Sequence, residues 1–173
     1  MENLPGRIQQ YTDWLIKMNI RTATSKDLDG ICKLSNEINE YHHLHMPHMF
    51  RKPGSPDQDI PYWSHYLEHE KGVVFVAEES PDITGAICAE IIMSTPAPFF
   101  VDRCMCFIGT IVVSKKYQKT GTGKALMSKI EEWAVTEGAE EIDLNVMRFN
   151  SNAFEFYKKS GFEAVFTRMA KKI

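Results

Sequence analysis

The sequence predicts a single α/β domain, a mixed central β-sheet flanked by helices. The chain has 173 residues, the size of one domain. Its 43% apolar and 25% charged composition is that of a folded globule, not of a disordered or repetitive chain. Strand-like and helix-like segments alternate along it without repeats or an internal linker, in the order β-α-α-β-β-β-α-β-α-β. At this length roughly 70% of the unfolded surface is buried on folding, enough for a core that needs no disulfide staples.

Residues 1–18 precede the first strand, and residues 19–173 form the domain. In the leading segment Ile8, Tyr11, Leu15 and Met18 follow a Pro5-Gly6 break at helical spacing, which admits an amphipathic helix or an irregular terminus. Ile20–Ala23 reads as a short strand. Ser25 and Asp27 then offer caps to a helix carrying Leu28, Ile31, Leu34 and Ile38 on one face. From Tyr41 to Ile60 the prolines at 47, 53 and 56 and Gly54 predict a loop, and Pro61 opens a second short helix toward Glu70. Val73–Ala77 and Ile83–Met93 form a hairpin across the polar Glu78–Asp82 connection. Cys104–Val113 is a third strand, in which Gly109 marks a bulge or a close backbone approach. Leu126, Ile130, Trp133 and Ala134 define the helix Lys124–Glu137, which ends at Gly138. A buried strand through Ile142, Leu144 and Val146, a helix over Asn152–Ser160 and a last strand over Phe162–Met169 complete the domain.

The net charge of −3 provides no global basic field, so neither nucleic acid nor a membrane surface is an expected partner. No apolar run approaches the ~20 residues of a membrane span, and the polar start MENLPGRIQQ lacks the apolar stretch of a secretion signal. A cytoplasmic protein is expected. Its cysteines, Cys32, Cys88, Cys104 and Cys106, then read as buried thiols.

The densest functional signal is Tyr117-Gln118-Lys119-Thr120-Gly121-Thr122-Gly123-Lys124-Ala125, which joins a hydrophobic strand to a strong helix. Glycines there turn the chain tightly and leave N–H groups free at the positive end of the helix dipole, an anion site. A P-loop needs Ser or Thr where Ala125 stands, and a dinucleotide fingerprint needs glycine where Leu126 stands; both fail. The remaining pattern, Gln-x-x-Gly-x-Gly, resembles the pyrophosphate-binding signature of the GNAT family of N-acetyltransferases. Farther on, Asn150–Phe162 reads Asn-x-x-Ala-x-x-x-Tyr-x-x-x-Gly-Phe, similar to that family's second block and at matching separation. The resemblance covers roughly residues 19–170.

A GNAT-like fold and an acetyl-CoA-dependent N-acetyltransferase activity are what this resemblance implies. Acetyl-CoA is then the cosubstrate, with no metal required, and the acceptor is a primary amine on a small molecule or a protein. The implied cofactor contacts are Ile111, Val112 and Val113 on the strand, Gln118, Lys119, Thr120, Gly121, Thr122, Gly123 and Lys124 in the turn, and Asn150, Ala153 and Tyr157 in the second block. By the same resemblance Tyr157 lies near the CoA sulfur, where a phenol of pKa ~10 can protonate a leaving thiolate of pKa ~8.5. Asn150 divides between contacting the pantetheine arm and capping its helix. A backbone N–H near Val112 or Val113 is expected to polarise the acetyl carbonyl.

Two departures from the family pattern bear on mechanism. Gln118 replaces a frequent arginine, so the anion leans on backbone donors. The strand before the turn carries no carboxylate to act as base, which leaves Glu90, Asp143 or a water route, with Glu90 taken as the catalytic candidate. All six histidines fall between 42 and 69. His42, His45 and His48 recur every third residue and His65-x-x-x-His69 has helical ligand spacing, yet Pro47 interrupts the first set and no cysteine joins them. In the resembled fold this region walls the acceptor pocket, so Tyr41, His42, His45 and Tyr62, with Phe50 and Trp63, are expected to contact the amine. Direct transfer in a ternary complex is the leading mechanism, because no cysteine has an adjacent base. A non-catalytic acyl-CoA sensor and a histidine-based metal protein are the alternatives, and a homodimer stays open.

Overall fold

The computed structural model describes residues 18–94, 97–171 and 173. The amphipathic pattern proposed for the leading segment lies, except for Met18, outside them. Five strands form one sheet in sequence order: β1 (Asn19–Thr22), β2 (Gly72–Glu79), β3 (Asp82–Ser94), β4 (Arg103–Val113) and β5 (Glu141–Leu144). Neighbours are antiparallel except β4 and β5, which are parallel. That one parallel pair requires a crossover, supplied by α3 (Thr122–Thr136). Helices α1 (Leu28–His45) and α2 (Ile60–Glu68) connect β1 to β2, and α4 (Ser151–Lys159) follows β5.

Period-2 alternation gives the sheet two cores. Val74, Val76, Ala86 and Cys88 face Ile31, Cys32, Leu34 and Trp63 of α1 and α2. Val73, Phe75, Ala77, Ile87 and Ala89 face Leu126, Met127, Ile130 and Ala134 of α3. On β4 the phase reverses. Cys106 and Ile108 lie on the α3 side, but beyond Gly109 the odd-numbered Ile111 and Val113 take that side and Val112 crosses to the other core. The register jumps at the same place, Cys88 opposite Thr110 and Ala89 opposite Ile108, so Gly109 is the extra residue of a β-bulge. A Cβ at 109 would collide with the Tyr66 hydroxyl and lie 2.8 Å from that of Tyr62. Only glycine lets α2 press its two phenols against the strand here.

Helix α1 begins on a charged clasp. Asp27 accepts the Thr24 N–H at 2.7 Å and two bonds from Arg21 at 2.7 and 2.8 Å, and Arg21 also reaches Glu78. These partners, the Arg21 guanidinium first, hold the Asp27 carboxyl down at about 2.

Three sequence expectations need correction. Helix α1 continues to His45, well into the segment expected to be a loop, because the first proline after Leu28 is at 47 and nothing earlier stops the helix. Strand β5 ends at Leu144, so Val146 lies beyond it in irregular chain. The expected strand Phe162–Met169 does not form: residues 162–171 enter no helix or strand, since β-forming side chains make a strand only where a partner edge takes the hydrogen bonds. Among the described residues no helix is long and apolar enough to cross a membrane.

Candidate functional site

Pairing between β4 and β5 stops at Ile108 and Leu144. Beyond that point β4 runs on to Val113 while the chain after β5 turns away, and the two diverge around a cavity of about 410 Å³. Its walls are Ile108–Ile111 of β4, Leu144–Met147, and Asn150, Ala153 and Tyr157 of the last helix; α1 contributes Ser35, Ile38, Asn39 and His42, and Phe50, Asp59 and Tyr62 close the remaining side.

The splay frees backbone donors. The Ser114 N–H donates to Thr84 O at 2.9 Å, so strand alternation sends the N–H of Val112 toward β3 as well. The N–H groups of Ile111 and Val113 point the other way, to the edge that β5 has left. The expected carbonyl donor therefore falls on Ile111 or Val113, and Val112 instead buries its side chain in the α1/α2 core.

At the end of β4 the chain enters the glycine turn. Lys119 and Gly121 have φ of 63° and 104°, left-handed values that reverse the chain within a few residues, and Gly121 is the N-cap of α3. Thr120 donates to Tyr117 O at 2.6 Å and pairs with the buried Thr122 hydroxyl at 3.1 Å, bracing the turn from inside. Gln118 donates to Val113 O at 3.2 Å. The first helical bond runs from the Ala125 N–H to Gly121 O. Among the described residues none of the N–H groups of 118–124 has a protein acceptor, and Lys119 and Lys124 are exposed beside them. This is a nest for an anionic group at a helix N-terminus.

Tyr157 is half-buried against Phe156 and Phe162 and lines the cavity. Burial pushes its phenol up to about 12, so it holds its proton at neutral pH. Asn150 caps α4, accepting the Ala153 N–H at 3.2 Å, and faces the cavity as well; both roles left open by the sequence fit one residue.

The histidines do not gather. His42 lines the cavity, stacks on Phe50 at 4.7 Å and meets Phe149 edge-on at 5.6 Å. Burial, then the charge of His45, lowers its pKa below the ordinary imidazole value. Tyr41 and His45 stand one layer out, packed on Phe149 at 5.7 and 4.8 Å. His43 binds Phe50 O, whereas His65 and His69 lie near Glu90 on another face. Among the described residues no group of three or more His, Cys, Asp or Glu is arranged to hold a metal ion. Trp63, expected in the acceptor wall, is wholly buried with its indole N–H on Ser35 Oγ at 2.7 Å.

Glu90 does not line the cavity. It sits opposite Phe107 of β4, with Oε2 3.6 Å from His65 Nε2 and 4.0 Å from His69 Nδ1. Between it and the cavity stand two phenols. Tyr62 shares a 2.8 Å hydrogen bond with Thr110 at the bulge; burial raises Tyr66, and the charge of Glu90 adds to that shift. Asp143 is also outside the cavity, its pKa raised by burial and then by Glu141. Burial pushes Cys88 and Cys106 up to about 12 and Cys32 to about 11, which leaves these thiols protonated and unreactive. Sequence reasoning missed Asp59, Asn39, Thr110, Tyr66 and Phe149. The first two make a 2.6 Å hydrogen bond inside the cavity, and burial raises the Asp59 pKa while the Asn39 amide opposes the shift.

The five-stranded sheet thus parts beside a helix N-terminus whose free N–H groups form a nest for an anion. The sequence profile of the acetyltransferase (GNAT) family matches residues 37–162, and the chain belongs to that family. It is an acetyl-CoA-dependent N-acetyltransferase. An N-alpha-acetyltransferase of Sulfurisphaera tokodaii is 29% identical over 154 residues, covering 84% of this chain and 80% of the relative. Among solved structures, a mutant of the BH1408 protein from Bacillus halodurans superposes with a TM-score of 0.83 at 22% identity, over 90% of this chain and 99% of that one. The aminoglycoside N-acetyltransferase AAC(6')-Iy in complex with CoA gives a TM-score of 0.72 at 16% identity, over 90% and 94% of the two chains.

Proposed function

We propose that this enzyme transfers the acetyl group of acetyl-CoA to a primary amine by direct attack in a ternary complex formed in the β4/β5 cavity. The observation that carries the reading is that the free strand donors at Ile111 and Val113 lead straight into the anion nest at 118–124, while the protonated phenol of Tyr157 lines the same cavity as Ile111. The nest and the exposed lysines hold the pyrophosphate. The Ile111 or Val113 N–H polarises the acetyl carbonyl, Tyr157 donates its proton to the departing sulfur, and the proton the nitrogen sheds as the amide forms restores the phenol.

The amine arrives through the α1 side. It arrives as an ammonium ion, which the Asp59 carboxylate and the aromatic mouth of Phe50, Phe149 and Tyr41 attract; His42, neutral, does not repel it. Its proton is assigned to Glu90, which lies past Tyr62, hydrogen-bonded to Thr110, and close enough to Tyr66 for its charge to raise that phenol, and whose carboxylate faces His65 and His69. Glu90 thus serves as the terminal acceptor, a role it fills from outside the cavity.

The similar proteins include an N-alpha-acetyltransferase and an aminoglycoside N-acetyltransferase, so the acceptor class is tested directly. CoA release is measured with polyamines, free amino acids, aminoglycosides and peptides bearing free N-termini. Turnover with one class above the rest supports the reading, and none with any class overturns it. Glu90→Gln is expected to lower kcat by about tenfold or more and to flatten its pH profile. An unchanged profile removes Glu90 from the route.

A further inference from the structure

Among the described residues a single carboxylate, Asp59, and no lysine or arginine line the cavity. Asp59 is the N-cap of α2 yet makes no capping bond; its carboxylate instead accepts the Asn39 amide at 2.6 Å. An acid held this way, half-buried beside neutral walls, suits a ligand that brings one ammonium group. The other acids nearby in sequence, Glu40 and Asp57, are exposed and outside the walls, and Arg51 and Lys52 are exposed just past Phe50. A polyamine or an aminoglycoside carries several ammonium groups, of which only one finds a carboxylate here. A free amino acid sets a carboxylate beside its ammonium, which Asp59 repels and no cation in the walls offsets.

Among the described residues no strong base lines the cavity either. Glu90 lies outside it, and burial makes His42, the imidazole in the walls, a weak base. An α-amino group sheds its proton at ~7.7–8.0, whereas a lysine amine holds it to ~10.4. The first is partly free base at neutral pH and needs no strong base at its side. Beside Asp59 the surface is aromatic: His42 stacks on Phe50 at 4.7 Å, and Phe149 meets His42 at 5.6 Å and Tyr41 at 5.7 Å. Asn145 and Asn150 add neutral side-chain amides to the walls, the partners a peptide group takes.

We infer that the acceptor is the α-amino group of a peptide chain whose first side chain is large and apolar, with the ammonium on Asp59 and that side chain against His42, Phe50 and Phe149. This deepens the reading of the cavity as the site of acetyl transfer, and rests on it. The amide N–C bond forms as the thioester C–S bond breaks. Of the two protons the ammonium loses, one goes to Glu90, and the other replaces on Tyr157 the proton that leaves on the CoA thiol. At about 410 Å³, shared with the acetyl arm, the cavity is near the small end of the ~300–1,000 Å³ of ligand pockets. It takes one residue of the acceptor, so selectivity falls on the first.

CoA release is measured with short peptides that each contain an internal lysine and differ only in the first residue: Phe, Leu, Met, Ser or Asp. The three large apolar residues are expected to give kcat/KM at least about tenfold above Ser and Asp, with mass spectrometry placing the acetyl group on Nα. Phe149→Ala is expected to narrow that preference to about threefold or less, chiefly through KM. Phe50→Ala serves as the second variant, read the same way. Equal turnover of every first residue overturns the inference, as does acetylation of the lysine. So does a preference that neither variant narrows, or faster turnover of spermidine, kanamycin or phenylethylamine than of any peptide. Each of these leaves acetyl transfer in the cavity standing, whereas no turnover with any amine overturns the transfer reading itself.

Discussion

Beyond the cavity, where β4 runs into α3, the chain presents backbone: the N–H groups of 118–124 and the β4 amides left bare by β5. At the α1 end it presents side chains, His42, Asp59 and Asn39, carried by one long helix and the turn before α2. Backbone recognition needs a particular local conformation, so it demands glycine at a particular place; Gly121, with φ of 104°, is that demand made visible. Side-chain recognition needs only that distant residues meet, and many sequences can arrange it. On the proposed reading the first end is set by the cosubstrate's phosphates and the second follows the amine.

The sharpest test of this division is the residue that stands where the two ends meet. Tyr157→Phe is expected to lower kcat by about 10²–10⁴ while the KM for acetyl-CoA stays within a few-fold. A loss spread equally over acetyl-CoA binding would return Tyr157 to packing. Next in size, Gly121→Val places a β-branched residue in left-handed backbone and is expected to raise the acetyl-CoA Kd by about tenfold or more, read by calorimetry, with amine KM unchanged. Equal losses toward both substrates would dissolve the distinction between the ends.

At the other end the effects run the opposite way. His42→Gln and Asp59→Asn are each expected to raise amine KM by roughly 3–10-fold and to spare acetyl-CoA, as loss of one or two polar contacts implies. The pH dependence is specific. His42 is held neutral below the ordinary imidazole value, so it gains a proton only as pH falls through and below that range, and amine KM should then rise. His42→Gln should flatten that rise.

The smallest effect concerns the frame of the acceptor end. Asp27 titrates near 2 in the folded chain against ~3.9 unfolded, so its contribution is complete above pH ~4 and is lost as pH falls toward 2. With Arg21 about one-third exposed, Asp27→Asn is expected to cost about 1–2 kcal/mol at neutral pH and to remove the variant's stability slope across that acid window. Denaturant melts at several pH values measure both.

What the sequence disclosed follows the same line. The glycine turn, the bulge at Gly109 and the Asn150–Phe162 block are local, so contiguous residues announced them. Asp59, Tyr66, Thr110 and Phe149 come from four separate segments and acquire meaning only when β4 and β5 part. His45 was misplaced because the prolines beyond it drew the helix boundary too early, though a proline at 47 forbids nothing at 45. Phe162–Met169 misled differently: its side chains state a preference for β-structure, which no single chain is obliged to satisfy.

The depth of the cysteines has a practical side. Cys32, Cys88 and Cys106 are fully buried with thiols pushed to about 11 or 12, so electrophilic labels that capture a thiolate find almost none on them at neutral pH. Free CoA, by contrast, carries an open thiol. Chromogenic disulfide reagents can therefore count product in a running assay against a protein background confined to half-exposed Cys104, with no separation step.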